Sequence, residues 1–571
     1  MLRPPTVQQG MRILEKRPTI RVETLIAVVA AYLIALGNGA WWAGAAAGRS
    51  LADLATWLFV GACFVLLASA HFLVFALVST RHTVKPLLSV LVVVTAAASW
   101  YMHSYGVLLD PTMLRNVTRT DWHEARDLLT WGMAGHVLLW SAPPLALIGR
   151  VRLMPRRTSR ALLFRAGTVA AAVALMVGSA TLVSRDLIPL MRNQDELRYR
   201  ITPGNLIYSL ARNAIRDAGS AAGPLETVGA DARREARATA RPAVLVLVLG
   251  ETARAANFSL LGYGRETNPQ LGQLDLVAFR DVFACGTSTE VSVPCMFSPF
   301  GRAGYDERRI RRSEGLVHVL RRAGVEVRWR DNQSGCKGVC DAPGVDYRKL
   351  DAASAPDLCR DGECYDEILV RALEEDLATV TGDTVIVLHM MGNHGPAYHR
   401  RYPPAFRRFT PDCQTAELRD CSREAVVNSY DNAILYTDHV LSEAVGALER
   451  AAGRLDTALL YVSDHGESLG EAGLYLHGVP YAIAPDYQTH VPMLLWLSGP
   501  FATDAGVRVG CVEAQAGEAA SHDNLFHSVL GMLDVHTSAY ASERDLLAAC
   551  RAPIQRMASH RAAAPSGNGE G

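Results

Sequence analysis

Five long apolar segments in the first third of the chain constrain its fold more than any other feature. Each is longer than the about 18 to 20 residues that a helix needs to cross a bilayer. A single segment of this kind would also suit a buried helix of a soluble protein, but five in succession indicate a transmembrane domain. The segments extend approximately over residues 22–47, 54–78, 87–109, 128–148 and 161–183.

The charges of the short loops predict how this domain is oriented. Arginine and lysine are concentrated before the first segment, between the second and third, and between the fourth and fifth. The opposite loops hold fewer cations, and nearby acidic residues offset most of them. Because basic loops stay on the cytoplasmic side, we expect a cytoplasmic amino terminus and an external location for everything after about residue 185.

Cysteine usage independently supports this placement. Cys63 lies in the second apolar segment, and the other ten cysteines follow residue 280. An even number of thiols in an oxidising compartment predicts up to five disulfides. The alternative is a zinc site at Cys336 and Cys340, but no second thiol pair stands at ligand spacing. The ten residues are Cys285, Cys295, Cys336, Cys340, Cys359, Cys364, Cys413, Cys421, Cys511 and Cys550.

Composition divides the chain into four regions. Residues 1–185 form the predicted transmembrane domain, and residues 186–241 combine an interfacial helix with a linker rich in Ala, Gly and Arg. Residues 242–556 form a predicted soluble domain, and residues 557–571 a disordered tail. Lys plus Arg and Asp plus Glu both number 57, which excludes the overall basic field of a nucleic-acid-binding protein.

From residue 242 onward the pattern is that of an α/β protein. Short continuous runs of Val, Leu and Ile alternate with helical segments, which predicts a parallel sheet covered on both faces. In such folds, functional side chains collect at the carboxyl ends of the strands. The runs occupy residues 243–249, 325–330, 384–390, 458–463 and 492–498.

Acidic, amide and imidazole side chains follow four of these runs. Carboxylates and imidazoles are ligands of zinc and other divalent cations. Solvated loop residues would explain any one of the four positions, but the combination predicts a metal site. The side chains are Glu251, Asp331, Asn332, Gln333, Asn393, His394, Asp464, His465 and Glu467.

A hydroxyl-rich segment between Cys285 and Cys295 offers a nucleophile. A hydroxyl is a weak nucleophile at its free pKa, so a metal or a base would have to activate it. The sequence alone does not choose among the hydroxyls, and an ordinary Ser/Thr turn is the alternative. The candidates are Thr287, Ser288, Thr289 and Ser292.

Lys337 stands near one of these strand ends. It is one of only four lysines in a chain that uses arginine for nearly every cation. A compact ammonium charge suits a phosphate contact, although a chance lysine explains the position equally well.

Together these motifs closely resemble the lipid A phosphoethanolamine transferases, which include the mobile colistin-resistance enzymes. The resemblance covers about residues 20–555. It implies an α-helical transmembrane domain of five spans and an α/β periplasmic domain of the alkaline phosphatase/sulfatase type. The motifs are Gly-Glu-Thr at 250–252, Cys-Gly-Thr-Ser-Thr at 285–289, Ser-Val-Pro-Cys-Met-Phe-Ser at 292–298, His-Gly-Pro at 394–396 and Ser-Asp-His-Gly-Glu-Ser at 463–468.

The resemblance also implies a role for individual residues. Thr289 would be the nucleophile, and it would hold one or two zinc ions together with Glu251, Asp464 and His465. His394 and His477 would lie near the phosphate, and Ser334 and Lys337 would contact phosphoethanolamine. Gln333 is left out of the site, because family members often carry Asn there. The implied disulfides are 285/295, 336/340, 359/364 and 413/421, which leaves 511/550 as a fifth pair.

Three further residues of the implied site precede the fourth apolar segment. Asn116, Thr120 and Glu124 resemble the membrane-domain residues that face the site. Their i, i+4 spacing would place them on one face if the stretch from 110 to 127 is helical. A solvated helix face with ordinary charge pairs is the alternative.

The function implied is the transfer of phosphoethanolamine from phosphatidylethanolamine to a lipid A phosphate through a covalent phosphothreonine, which would give resistance to polymyxins and other cationic peptides. The protein would be a monomer in the bacterial inner membrane, in contact with membrane lipids and not with nucleic acid.

A phosphoglycerol transferase, or a phosphoethanolamine transferase acting on another envelope glycan, is the nearest alternative. A sulfatase is disfavoured because its Cys/Ser-x-Pro-x-Arg motif is absent from the nucleophile position. A non-catalytic scaffold is disfavoured because all four proposed ligands are present.

Overall fold

The computed structural model describes residues 17–120, 122–220, 223–234 and 241–551. The tail predicted at 557–571 lies outside the described residues. The chain consists of an amino-terminal helical part and a carboxyl-terminal α/β part, as the fold class predicted. The helices before residue 200 are α1 Val22–Leu36, α2 Gly39–Ala46, α3 Leu54–Val78, α4 Val84–Tyr105, α5 Pro111–Arg119, α6 Trp122–Asp127, α7 Trp131–Arg150 and α8 Thr158–Asn193.

Four of these helices, α3, α4, α7 and α8, are long and apolar enough to cross a membrane. The first predicted span is not one straight helix, because α1 and α2 meet at a bend of 60°; counted as one span, the pair makes five. At the bend the Asn38 side chain donates to the Leu33 carbonyl (2.9 Å) and to the Thr202 carbonyl (2.8 Å). These bonds satisfy polar groups that a break inside a membrane helix would otherwise expose.

The loop between α4 and α7 forms two short helices instead of one. Asp110 caps α5 by accepting a hydrogen bond from the Met113 amide (2.8 Å), and Pro111 occupies the first turn. The helix ends at Arg119, and Thr120 has an extended backbone. The helix that carries Asn116 therefore does not include Thr120, and the condition for a single helical face through Asn116, Thr120 and Glu124 is not met.

A bridging segment connects α8 to the α/β part. It begins with a 3-10 helix at Asp195–Arg200 and continues as α9, Gly204–Ser220. A helix is thus present in the stretch that was predicted to be interfacial, and it extends into the stretch that was expected to be linker. Farther on, the short strand Arg233–Arg234 pairs with Val535–His536. The domain boundaries themselves stay a prediction.

A seven-stranded sheet forms the centre of the α/β part. Its strands are β1 Ala243–Gly250, β2 Val277–Phe279, β3 Glu326–Asp331, β4 Asp346–Lys349, β5 Thr384–His389, β6 Asp456–Ser463 and β7 Met493–Leu497. In spatial order they are β2, β7, β6, β1, β5, β3 and β4. Strands β6, β1, β5, β3 and β4 are parallel, whereas β7 is antiparallel to β6 and to β2.

The prediction that all five apolar runs are parallel is thus wrong for β7. A parallel connection must cross from one end of the sheet to the other, usually through an α-helix. Between β6 and β7 the longest helix has four residues, Asp486–Thr489, so the chain returns in the opposite direction. The loop begins and ends at the carboxyl edge of the sheet because β7 is antiparallel to β6, and it therefore brings His477 to that edge.

Both faces of the sheet are covered by helices. Leu245, Leu247 and Leu249 of β1 belong to one hydrophobic cluster, and Val244, Val246 and Val248 belong to the cluster on the other face. The helices of this part are α10 Thr289–Met296, α11 Glu307–Arg312, α12 Leu316–Arg322, α13 Glu367–Thr379, α14 Arg423–Ala451, α15 Asp486–Thr489, α16 Gly499–Asp504, α17 Val509–Gln515 and α18 Asp523–Met532.

Five disulfides brace the loops of this part. Cys336 and Cys340 form one of them, so their thiols are not available as zinc ligands. Cys63 is a buried free thiol among the membrane helices. The disulfides are Cys285–Cys295, Cys336–Cys340, Cys359–Cys364, Cys413–Cys421 and Cys511–Cys550, the pairs that the resemblance implied.

Candidate active site

The site lies at the carboxyl edge of the parallel strands. Glu251 follows β1 directly, and Asp464 follows β6 directly. The last residues of these two neighbouring strands, Gly250 and Ser463, are paired across the sheet. Two carboxylates that are more than two hundred residues apart in sequence therefore meet at one edge, as in other α/β folds.

Thr289 completes a compact cluster with three of these side chains. Its Oγ1 lies 3.1 Å from Glu251 Oε2 and 3.4 Å from His465 Nε2. His465 Nε2 also lies 3.5 Å from a carboxylate oxygen of Glu251 and 3.5 Å from one of Asp464. All four side chains are buried. The cluster thus brings a hydroxyl into contact with a carboxylate and an imidazole, and the imidazole lies beside a second carboxylate.

The donor set of this cluster fits a divalent cation such as zinc. One ligand atom from each of Glu251, Asp464 and His465 lies within 4.8 Å of the others. Within the described residues Asp464 Oδ2 makes no hydrogen bond, whereas its Oδ1 accepts from the amides of Thr252 (3.1 Å) and His465 (2.7 Å). Two buried carboxylates facing one imidazole lack a compensating charge, and a cation would supply it.

Backbone constraints hold the ligands in place. His465 Nδ1 donates to the Gly466 carbonyl (2.9 Å), which directs Nε2 toward Thr289. Gly392 has a φ of +52°, and a Cβ added there would lie 2.6 Å from the Glu251 carbonyl oxygen. Only glycine allows this close approach of the loop after β5 to the loop after β1.

The four candidate hydroxyls have clearly different surroundings in the structure. Thr289 is the first residue of α10, and its Oγ1 is the one that contacts the cluster. Thr287 instead donates to a backbone carbonyl at 2.7 Å. The hydroxyls of Ser288 and Ser292 are buried and make no hydrogen bond within the described residues. The geometry therefore favours Thr289 as the nucleophile.

Two further histidines lie beside the cluster. The rings of His465 and His477 are 4.2 Å apart between centroids, and those of His394 and His477 are 6.0 Å apart. Burial lowers the pKa of His394 and of His477 to about 3, so both imidazoles are neutral at ordinary pH. Neutral rings next to a phosphate can donate a hydrogen bond or accept a proton.

Ser334 and Lys337 form the next wall of the site. Lys337 Nζ donates to Ser334 Oγ at 2.6 Å, which holds the ammonium group beside the loop after β3. Both residues line the same cavity as Thr289. They are therefore located where a phosphate bound at Thr289 would meet a positive charge.

That cavity has a volume of about 310 Å³ and extends from the cluster to the membrane helices. Asn116 and Thr120 line it, as the resemblance implied. The side chain of Glu124 lies outside the described part of the structure. On the membrane side the walls include Val94, Ala97, Ala98, Tyr101, Tyr105, Leu109, Met113 and Val117.

Two residues of the site were candidates at the strand ends but were not included in the site that the resemblance implied. Gln333 Nε2 donates to Glu251 Oε2 at 3.0 Å and also lines the cavity. Glu467 is fully buried, with Oε2 3.3 Å from His477 Nδ1. Both stood in the segments that follow the strands, so their position was a usable signal. What the sequence lacked was the direction of each side chain.

A membrane-embedded enzyme of the sulfatase type is the class that this fold and site define. The Sulfatase family model matches residues 243–535, and the model of the phosphoethanolamine transferases EptA/EptB matches residues 67–218. The chain is 39% identical to phosphoethanolamine transferase EptA of Escherichia coli K12 over 552 residues, which cover 95% of this chain and 99% of that protein. Phosphatidylethanolamine transferase Mcr-1 of Escherichia coli is 35% identical, with 91% and 96% covered.

The structural comparison agrees. The integral membrane lipooligosaccharide phosphoethanolamine transferase A (EptA) from Neisseria meningitidis superimposes with a TM-score of 0.89 at 36% identity, covering 94% of this chain and all of that one. The chain belongs to the phosphoethanolamine transferase family, which confirms the resemblance found in the sequence.

Proposed function

We propose that this protein transfers phosphoethanolamine from phosphatidylethanolamine to a phosphate of lipid A, with Thr289 as the nucleophile and zinc as the cofactor. The observation that carries the proposal is the cavity shared by the apolar membrane helices and Thr289. A water-soluble donor would not need such a route. A donor with acyl chains and a phosphodiester headgroup fits this cavity, because the chains suit its apolar end and the phosphodiester suits the end at Thr289.

The cluster around Thr289 supports nucleophilic catalysis. Glu251, Asp464 and His465 would hold the zinc ion, which when bound lowers the pKa of a neighbouring hydroxyl. Glu251 Oε2, at 3.1 Å, is the acceptor for the Thr289 proton in the resting site. The hydroxyl is thus held in one orientation before the donor arrives.

The first displacement would form a bond between Thr289 Oγ1 and the phosphorus of phosphatidylethanolamine. The bond from phosphorus to the glycerol oxygen breaks, and diacylglycerol leaves after taking up a proton. Attacking and leaving oxygens are roughly in line in such transfers. The diacylglycerol oxygen therefore faces away from Thr289, toward the membrane side of the cavity.

The second displacement would reverse these roles. An oxygen of the acceptor phosphate attacks the phosphothreonine, and the Thr289 oxygen leaves and regains a proton. Because this attack is also in line, the acceptor oxygen must occupy the position that diacylglycerol has left. One cavity would serve both lipids in turn. Neutral His394 and His477 are placed to move the protons of the two steps.

The headgroup would be held by groups of both parts of the protein. Lys337 supplies a positive charge to the phosphoryl oxygens, and Ser334 Oγ supplies a hydrogen bond. Asn116 and Thr120 approach from the membrane side. We assign the ammonium group of ethanolamine to Glu124.

The location follows from the same proposal. With a cytoplasmic amino terminus and five spans, the catalytic part would lie in the periplasm of a Gram-negative inner membrane. Its five disulfides suit that oxidising compartment. Both substrates are lipids of the envelope, which explains why catalysis is tied to membrane helices. A monomer contains every residue of the proposed site.

The biological consequence would be a change of surface charge. Each transfer places an ammonium group beside a lipid A phosphate and lowers the net negative charge. Cationic peptides such as polymyxins are attracted largely by that charge, so their binding would weaken. Expression in a susceptible Gram-negative host should therefore raise the inhibitory concentration of polymyxin.

Mass spectrometry of lipid A from cells with and without the protein tests the acceptor. We expect a gain of one phosphoethanolamine on a lipid A phosphate, and no gain with Thr289→Ala. Addition to a core sugar or another glycan would instead identify a transferase for a different envelope acceptor. Unmodified lipid A despite verified membrane expression would contradict the proposed acceptor.

A further inference from the structure

Six side chains of alternating charge form a closed ring next to the nucleophile, and we call it the charge ring. Its contacts, in order, are Glu290–Arg119, Arg119–Asp217 at 4.0 Å, Asp217–Arg115 at 3.2 Å, Arg115–Glu307, Glu307–Arg311 at 3.4 Å and Arg311–Glu290 at 2.6 Å. Each member touches two neighbours of opposite sign. The members are Arg115, Arg119, Asp217, Glu290, Glu307 and Arg311.

The charge ring connects the three parts of the chain. Arg115 and Arg119 belong to α5, between the membrane spans, and Asp217 belongs to the bridging helix α9. The other three members belong to the catalytic part. An ion pair between two residues of the same part could not make this connection. The charge ring therefore fixes the catalytic part relative to α5.

Glu290 is the member that is closest to the chemistry. It directly follows Thr289 in the first turn of α10, and its side chain is only 2% exposed. Arg119 and Arg311 both donate to its Oε1, and Arg311 also donates to its backbone carbonyl at 3.0 Å. A carboxylate this deeply buried needs both guanidinium partners, since an unpaired buried charge is strongly unfavourable.

Helix α5 and its C-cap residue Thr120 face the charge ring on one side and, on the other, the cavity that Thr289 lines, which we call the donor cavity. Arg115 and Arg119 point to the ring, whereas Asn116 and Thr120 line the cavity that reaches Thr289. Arg119 immediately precedes Thr120. The Glu290–Arg119 contact therefore ties the nucleophile's helix to the residues that face the lipid headgroup.

We propose that Glu290 is a positioning residue, which acts through Arg119 and Arg311 to set Thr289 at the correct distance from a lipid donor held by α5. This inference rests on the proposed function and deepens it. Glu290 itself does not touch the reacting atoms. Its carboxylate, once paired with two arginines, also adds no net negative charge against the incoming phosphodiester.

The test compares two substrates in the full-length protein in lipid nanodiscs or detergent. One is phosphatidylethanolamine, and the other is water-soluble bis(nitrophenyl) phosphate, a phosphodiester with neither acyl chains nor an ethanolamine group for the α5 region to hold. For Glu290→Gln we expect kcat for the lipid to fall at least about tenfold, because small displacements at a reacting centre are costly. Turnover of the soluble diester should change less than about threefold.

A double-mutant cycle with Arg119→Gln tests the link itself. If the two residues act as one unit, the double variant should lose no more lipid turnover than the worse of the two single variants. Arg119→Lys, which keeps the charge, should restore part of the activity that Arg119→Gln loses. Arg119 is 42% exposed at its side chain, so its variants provide the test even if Glu290→Gln fails to fold.

Arg400→Gln is a matched control. Arg400 also pairs across the two parts, with Asp127 at 2.7 Å, but Arg401 holds the same carboxylate at 2.6 Å. It should leave both activities within about twofold of wild type. If Arg400→Gln lowers lipid turnover as strongly as Glu290→Gln does, the effect is general domain docking, and the proposal is wrong.

Two other outcomes would overturn the proposal. Glu290→Gln could match wild type on the lipid, or it could lose both activities equally, which would indicate a damaged nucleophile instead of a displaced donor. The proposed function fails separately: in that case wild type itself releases no diacylglycerol from phosphatidylethanolamine. If wild type does turn over the lipid, and Glu290→Gln and Arg119→Gln do so at the wild-type rate, only the positioning role is disproved.

Discussion

The two walls of the donor cavity differ in almost every respect. The wall formed by the membrane part consists mostly of Ala, Val, Leu and Tyr side chains, with Met113, Asn116 and Thr120 beside them, and it contains no residue of the metal cluster. The opposite wall holds Thr289, Ser334, Lys337, His394 and His477. In the proposed function, chemistry and lipid access therefore belong to different parts of the chain. Substitutions should therefore separate them, affecting either all substrates or the lipid donor alone.

The largest effect is expected on the catalytic wall. Thr289→Ala removes the proposed nucleophile and should lower turnover of both lipid and soluble donors by at least about a thousandfold. Zinc content, measured by elemental analysis, should largely persist because three ligands remain. Ser288→Ala is the matched control, since that hydroxyl makes no hydrogen bond among the described residues. Turnover of either donor by Thr289→Ala near the wild-type rate would show that the nucleophile lies elsewhere.

A second prediction concerns how the folding stability of the catalytic part depends on pH. His522 is fully buried, with Nδ1 3.1 Å from the Cys285 amide and Nε2 2.9 Å from the Ser463 carbonyl oxygen. Burial lowers its pKa to about 4. The unfolded chain binds a proton near pH 6.5, so stability is fully present above that pH and decreases as pH falls toward 4.

The loss from this one group is on the order of 3 kcal/mol at the acidic end. The thermal unfolding midpoint, measured between pH 7.5 and 4.5, should fall less steeply for His522→Gln than for wild type. Parallel slopes for the two proteins would mean that His522 is already charged in the folded state, contrary to the account.

On the membrane side, Glu124→Gln should act on the lipid donor alone. Loss of a charge-assisted hydrogen bond to the ethanolamine ammonium costs about ten- to a hundredfold in kcat/KM. Zinc content should not change, and neither should turnover of bis(nitrophenyl) phosphate, because this soluble diester carries no ammonium group for Glu124 to hold. An equal loss of turnover with both donors would show that Glu124 does not act on the lipid donor alone.

The smallest effect is expected for Gln333→Asn. Asparagine keeps the amide but is one methylene shorter, so the 3.0 Å hydrogen bond to Glu251 would lengthen. A weakened neutral hydrogen bond corresponds to about a fivefold change or less in turnover. The change should be the same for lipid and soluble donors, because Glu251 belongs to the catalytic wall. A loss seen only with the lipid would reassign Gln333 to donor recognition.

Local patterns predicted most of the fold. Strands β1, β5 and β6 were found within about two residues, because continuous apolar runs flanked by polar residues are a local signal. The carboxylates and the histidine of the cluster were found for the same reason, since each follows a strand. The match of the whole motif set to a known family then chose Thr289 from four hydroxyls.

Features that depend on distant partners were missed. The bend after Leu36 is stabilised by Asn38 through a partner 164 residues away in sequence. The direction of β7 depends on how the chain returns over the site, which no apolar run encodes. The charge ring joins residues from 115 to 311, and in the sequence its arginines cannot be distinguished from other arginines.

The most direct test of the account is to trap the intermediate. Full-length protein is incubated with phosphatidylethanolamine in the absence of an acceptor, quenched with acid, digested and mapped by mass spectrometry. We expect one phosphoethanolamine group on the peptide that contains Thr289, formed together with an equal amount of diacylglycerol. Addition of lipid A before quenching should remove it. Diacylglycerol release without modification of Thr289, or modification of another residue, would contradict the central claim.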